Sequence, residues 1–307
     1  MRIEPEAREV VGPAGSPFRM YERFFGFSEP PFALTPDPRF LWLSETHEEG
    51  LSALVYGVMR RKGFILLTGE VGAGKTTLLR AALHRLEADP ADAPETAMVL
   101  HTADLTGRDL LQLIAAELGL RSADPAQRST ADYVIELQSF LIARLRSGLN
   151  TVIIVDEAQN LGAMALEQLR LLSNLESDAE KLLQIVLTGQ PELRRKLADP
   201  QLRALRQRIA ISHHVEPLRP DEVTSYLHHR IRVARGAPER VFEPGVEEIV
   251  AAFSGGCPRL INLLADRSLL SAYAKKLARV PRALVESKAK EMADLRWDLA
   301  DPIAERS

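Results

Sequence analysis

Phe64-Ile65-Leu66-Leu67-Thr68-Gly69-Glu70-Val71-Gly72-Ala73-Gly74-Lys75-Thr76-Thr77-Leu78-Leu79-Arg80-Ala81-Ala82-Leu83 is the stretch that decides the fold. Phe64 to Thr68 reads as a buried strand, and Thr77 to Leu83 reads as a helix. Between them, Gly69 to Thr76 match G-x-x-x-x-G-K-[ST], a loop whose backbone N–H groups close around phosphate oxygens. Glycines suit that loop because a Cβ would block the approach. The helix N-terminus adds partial positive charge. Lys75 is expected to reach the β- and γ-phosphates, and the Thr76 hydroxyl to hold Mg²⁺. Average composition yields such a match in roughly 1 chain in 100 of this length. A glycine turn that merely precedes Lys-Thr is the plain alternative, and the strand and helix flanks weigh against it.

Outward from this loop the pattern is strand–helix alternation. Met98-Val99-Leu100 is a short second strand, Thr151 to Val155 a third, Leu183 to Leu187 a fourth, and Ile209-Ala210-Ile211 leads into a fifth. Helical spacing runs through 107–119 and 130–147, with Leu166, Leu169 and Leu172 on a further helix. Residues 122–128 read as a polar loop. Continuous apolar runs of this kind belong to a parallel sheet covered on both faces by helices. After Pro217 no strand signal remains, and helices are expected at 221–235, 244–253, 258–276 and 281–293. The expected organisation is a mobile tail over 1–20, an α/β core over 21–217, an all-helical domain over 218–293, and a frayed tail over 294–307. Tyr21, Phe24, Phe25, Phe27, Phe32, Phe40 and Trp42 among prolines favour a packed, irregular start to the core, followed by a helix that Ser44 caps with His47 at its third position.

The chain has 307 residues, 46% hydrophobic and 26% charged, with a net charge of −3. That composition is ordinary for a globular protein, and the charge gives no overall pull toward nucleic acid or anionic lipid. A lone cysteine, Cys257, excludes an intramolecular disulfide and fits a reducing cytoplasm. It reads as a small turn residue rather than a reactive thiol. No apolar leader core and no apolar run of membrane-spanning length is present, so a cytoplasmic, non-inserted chain is expected.

Asp156-Glu157 ends the third strand, at the sheet edge where α/β folds bind ligands. Asp156 is expected to hold Mg²⁺, and Glu157 to polarise the attacking water. Two solvated carboxylates at a strand end are the plain alternative. Thr188 ends the fourth strand and either orients water beside the γ-phosphate or simply precedes a helix starting at Pro191. Arg203, Arg206 and Arg208 precede the fifth strand. One is expected as an arginine finger reaching across a subunit boundary. A solvated basic face, or with Arg194, Arg195 and Lys196 a DNA-binding patch, are the other readings. Arg259 follows Gly255-Gly256-Cys257-Pro258 at a helix start, where its charge opposes the helix dipole. That cost points to a partner, either the γ-phosphate or a structural salt bridge. His213 and His214 alternate across a strand, so no zinc site is expected.

Together these residues resemble an AAA+ ATPase, a P-loop NTPase with a five-stranded parallel sheet and an all-helical lid. The similarity is closest to the ExeA/GspA-type proteins of general secretion pathways, with relatives in pilus and exosortase-associated loci. It runs from Tyr21 to Tyr273. It includes Tyr21 to Phe27 (YERFFGF), Pro31-Phe32, Pro36-Asp37-Pro38, Ser44 with His47, Gly69 to Thr77 (GEVGAGKTT), Val155 to Asn160 (VDEAQN), Leu187 to Leu193 (LTGQPEL), Gln207-Arg208-Ile209 and Gly255 to Leu264 (GGCPRLINLL). The resemblance implies nucleotide contacts from Gly69, Glu70, Val71, Gly72, Ala73, Gly74, Lys75, Thr76 and Thr77. It implies Thr188 as sensor 1, Arg208 as the finger, Arg259 as sensor 2, and base contacts near Phe32 and His47.

The resemblance further implies ATP and Mg²⁺, self-assembly into a hexameric or other ring or filament, and a protein partner at the membrane or in an export system. Larger members continue through a membrane span into a peptidoglycan-binding domain. This sequence reaches Ser307 with neither, so an envelope role is expected to pass through a membrane partner. Related transposition regulators assemble on DNA, and fold does not separate the two. The function expected is ATP hydrolysis driving assembly or remodelling of a protein complex. An ATP-dependent DNA-binding regulator and a non-hydrolysing nucleotide switch are the alternatives.

Overall fold

The computed structural model describes residues 20–35, 37–88, 93–100, 105–120, 127–175 and 181–294. The expected tails over 1–20 and 294–307 and the loop over 122–128 fall largely outside these residues. Contacts divide the chain into one unit of residues 36–217 and a second formed by residues 1–35 with 218–307.

The first unit is built on five parallel strands: β1 (Phe64–Gly69), β2 (Glu95–Val99), β3 (Thr151–Val155), β4 (Gln184–Gly189) and β5 (Ile209–Val215), in the order β2-β3-β4-β1-β5. Every residue of β1, β3 and β4 is buried, which accounts for their unbroken apolar runs. The alternation of side chains divides these runs between two cores. Phe64, Leu66, Ile153, Val155, Ile185 and Leu187 face one core, while Ile65, Leu67, Val152, Ile154 and Val186 face the other. The first core is covered by α4 (Gly107–Glu117), α5 (Thr130–Arg146), α6 (Ala163–Leu172), α7 (Pro191–Leu197) and α8 (Arg203–Arg206). The second is covered by α2 (Glu45–Met59) and α3 (Lys75–Leu86). β2 lies at a sheet edge and is only partly buried. It starts at Glu95 rather than Met98, and Leu100 is left half-exposed beyond its end. β5, expected as a short strand, runs seven residues to Val215 and includes both histidines.

The second unit contains α9 (Pro220–Val233), α10 (Pro238–Val241), α11 (Val246–Ser254), α12 (Pro258–Ala274) and α13 (Arg282–Asp294). It also contains residues 20–35, the first part of the aromatic segment that the sequence had grouped with the α/β core, while Phe40 and Trp42 stay in the first unit. That segment forms the short helix α1 (Tyr21–Phe25). The physical reason is a set of partners far along the chain. The buried Arg230 guanidinium donates to the Pro31 carbonyl at 2.6 Å and to the Ala33 carbonyl at 3.1 Å. The Tyr21 hydroxyl donates to Asp266, and Phe32 packs against Phe242. Burial, then the Asp266 carboxylate, pushes the Tyr21 phenol above its usual range. No described helix is long and apolar enough to cross a membrane.

Candidate functional site

β4 lies between β1 and β3, so three strand ends meet at one sheet edge. β1 delivers the glycine loop, β3 delivers Asp156-Glu157 and β4 delivers Thr188. Leu67 pairs with Thr188 and Val155 with Leu187, which sets Thr188 level with Asp156. The Thr188 hydroxyl donates to Asp156 Oδ1, and the Thr76 hydroxyl donates to Asp156 Oδ2 at 3.3 Å. The Glu157 N–H also donates to Asp156 Oδ1 at 3.0 Å. Asp156 is only 8% exposed, so a carboxylate there depends on these donors.

In the loop, Gly72 and Gly74 hold positive φ of 80° and 96°. Gly74 is the N-cap of α3 and makes no side-chain cap bond, which leaves the helix N-terminus to a ligand. Lys75 Nζ donates to the Gly69 carbonyl at 2.8 Å and to the Glu70 carbonyl at 3.0 Å, so its charge is held over the loop. His47 braces the loop from α2. Its Nε2 donates to the Ala73 carbonyl at 3.1 Å, and its Nδ1 lies 2.6 Å from Ser44 Oγ, the hydroxyl that caps α2. The imidazole is therefore committed to the loop backbone, and the Phe32 ring is buried in the other unit.

A cradle shaped by glycines, followed by a hydroxyl and a carboxylate 3.3 Å apart, suits a phosphate chain with Mg²⁺, a hard cation that prefers oxygen ligands. Thr76 and Asp156 are the residues able to hold the metal. Gly69, Glu70, Val71, Gly72, Ala73, Gly74, Lys75, Thr76 and Thr77 supply the cradle and the first turn of α3.

Glu157 adopts left-handed backbone angles, φ 51° and ψ 40°, a conformation that costs a non-glycine residue roughly 1–3 kcal/mol. Its carboxylate accepts bonds from Gln159 and Gln190, two residues that the sequence did not mark out as site residues. Each lies two positions past a strand-end site residue, a spacing that gains meaning only once β3 and β4 are known to be neighbours. Lys196 of α7 donates to the Gln159 and Leu161 carbonyls, which secures the same turn.

The remaining expected residues have the following surroundings. Arg208 donates to Ser173 Oγ at 3.1 Å, at the end of α6. The Arg170 hydrogen bond, with a smaller contribution from Arg208, keeps the Glu167 carboxyl below its usual range. Arg206 donates to the Leu197 carbonyl at 3.0 Å, and Arg203 is exposed. Arg259 is exposed in the first turn of α12, in the helical unit, and no ion pair holds it among the described residues. His213 lies against α2 at Gly50, whereas His214 meets Thr68 Oγ1 at 2.9 Å.

Residues 58–197 match the AAA domain family. The chain is 43% identical over 278 residues to general secretion pathway protein A of Aeromonas hydrophila, covering 90% of this chain and 49% of that protein. It thus spans about half the length of that curated relative. Among solved structures it resembles the Aeropyrum pernix ORC2 protein in its ADPNP-ADP complexes, with TM-score 0.64 and 18% identity over 88% of this chain and 74% of that one. It resembles Cdc6p of Pyrobaculum aerophilum equally, with TM-score 0.64 and 19% identity over 85% and 70%. At such identities the likeness is one of fold. The parallel sheet with its glycine loop, the AAA match over residues 58–197 and the identity to general secretion pathway protein A agree: the chain carries an AAA domain and over 90% of its length is similar to a GspA-type protein.

Proposed function

We propose that this chain binds Mg-ATP at the glycine loop and hydrolyses it, and that hydrolysis drives assembly or remodelling of a protein complex in secretion or the cell envelope. The observation that carries the chemistry is the meeting of Thr76, Asp156 and Thr188 around one buried carboxylate, with Glu157 next in the chain. The loop N–H groups and Lys75 hold the phosphates and offset their charge. Thr76 and Asp156 fix the metal. Bound Mg²⁺ supplies Lewis-acid neutralisation of the phosphate oxygens. Glu157 orients and polarises the attacking water. Thr188, as sensor 1, holds Asp156 and stands beside the γ-phosphate. Arg208 from a neighbouring copy, and Arg259 as sensor 2, complete the charge compensation.

Replacing Glu157 by Gln tests this. Mg-ATP binding is expected to stay intact, while phosphate release falls about 100-fold or more. Wild-type turnover in that variant contradicts the reading.

The likeness to general secretion pathway protein A supports the secretion setting, with a ring or filament of this chain acting on a partner at the membrane. An ATP-dependent DNA-binding regulator is the second reading, favoured by exposed Arg194, Arg195, Arg203 and Arg206. Part of that charge is already used internally, since Arg195 pairs with Glu192 and Lys196 with backbone carbonyls. Duplex DNA that binds the ATP-loaded chain at low salt, and loosens as salt rises, supports this second reading.

A further inference from the structure

Two carboxamides from two different strand ends grip the same carboxylate oxygen. Gln159 Nε2 donates to Glu157 Oε2 at 2.5 Å, and Gln190 Nε2 donates to it at 3.2 Å. The orientation of Gln159 follows from its other bond. Its Oε1 accepts the Gln190 backbone N–H at 3.2 Å, which turns Nε2 toward Glu157. Gly189 makes room for this: a Cβ there would fall 2.6 Å from Gln159 Oε1. Gln190 occupies the N-cap position of α7, yet its side chain makes no cap bond and goes to Glu157 instead. The end of β4 therefore touches both strand-end carboxylates, Asp156 through Thr188 and Glu157 through Gln190. A solvated strand end needs none of this order, and the left-handed Glu157 needs something to hold it.

We propose that Gln190, with Gln159, is a positioning residue that holds the Glu157 carboxylate in the pose that activates water. The role rests on the hydrolytic reading above. It acts on the chemical step and not on nucleotide capture, because neither carboxamide belongs to the phosphate loop.

The test measures steady-state ATP turnover and Mg-ATP affinity of the full chain as wild type, Gln190→Leu and Gln190→Glu. Losing a hydrogen bond to a charged group is expected to lower kcat about tenfold in Gln190→Leu. Gln190→Glu, which sets carboxylate against carboxylate, is expected to lose more. KM and the affinity for Mg-ATP stay within about threefold in both. Retained affinity also certifies the fold, and Gln159→Glu repeats the test from the other carboxamide. Unchanged or faster turnover at wild-type affinity overturns the role, as does a loss of turnover that only tracks a loss of affinity. A wild-type chain that binds ATP without turnover removes the hydrolytic reading and this role together. Normal turnover in the variants of an active chain removes this role alone.

Discussion

At Gly74 the backbone stands at φ 96°, and a Cβ there would come 3.3 Å from His47 Nε2. Left-handed geometry costs an L-residue roughly 1–2 kcal/mol, and here the side chain also presses on the imidazole that braces the loop. Gly74→Ala is therefore expected to weaken Mg-ATP binding about tenfold, as read by calorimetric titration. Unaltered affinity would show that the loop tolerates the shift. The placement of Gly69 to Thr77, Asp156 and Glu157 at the sheet edge was legible in the sequence because these residues follow buried strands, so position along the chain fixes position at that edge. The bracing role of His47 and the grip of Gln159 and Gln190 were not legible. Their partners come from other elements, and nothing local distinguishes a gripping glutamine from a solvated one.

Among the elements, those with uniform burial were the readable ones. β3 and β4 are buried throughout and appear as apolar runs. α4 and α5 keep their helical spacing, and each also carries a capping box, Thr106 with Asp109 and Ser129 with Asp132. Thr106→Ala is expected to cost about 1 kcal/mol, seen as a lower Tm with unchanged ATP affinity. α1 spans five residues, too few for a period to show. It is tied to α12 through Tyr21 and Asp266, and the stretch after it is held by Arg230, which lies 199 residues beyond Pro31 in the chain. Arg230→Met leaves the Pro31 and Ala33 carbonyls without this donor, a loss of roughly 3 kcal/mol. A lower Tm and faster proteolysis between Tyr21 and Thr35 are the expected readouts. Resistance equal to wild type would mean that aromatic packing alone secures the segment.

For the whole molecule, the parallel sheet and the helical character after Pro217 were legible, since loss of strand signal marks a change of architecture. The joining of residues 20–35 to the helical unit was not, because sequence order gives no hint of a chain that returns to its start. The proposed hydrolysis is expected to need more than one copy, with Arg208 serving the site of a neighbour. Arg208→Ala should then lower turnover while leaving Mg-ATP affinity in place, and mixing it with Glu157→Gln protein should restore part of the rate. The most direct measurement is phosphate release per chain as a function of protein concentration, with and without duplex DNA. The expected result is a specific rate that rises steeply with concentration and does not require DNA. A rate that is flat with concentration, absent throughout, or dependent on DNA would contradict a self-assembling ATPase.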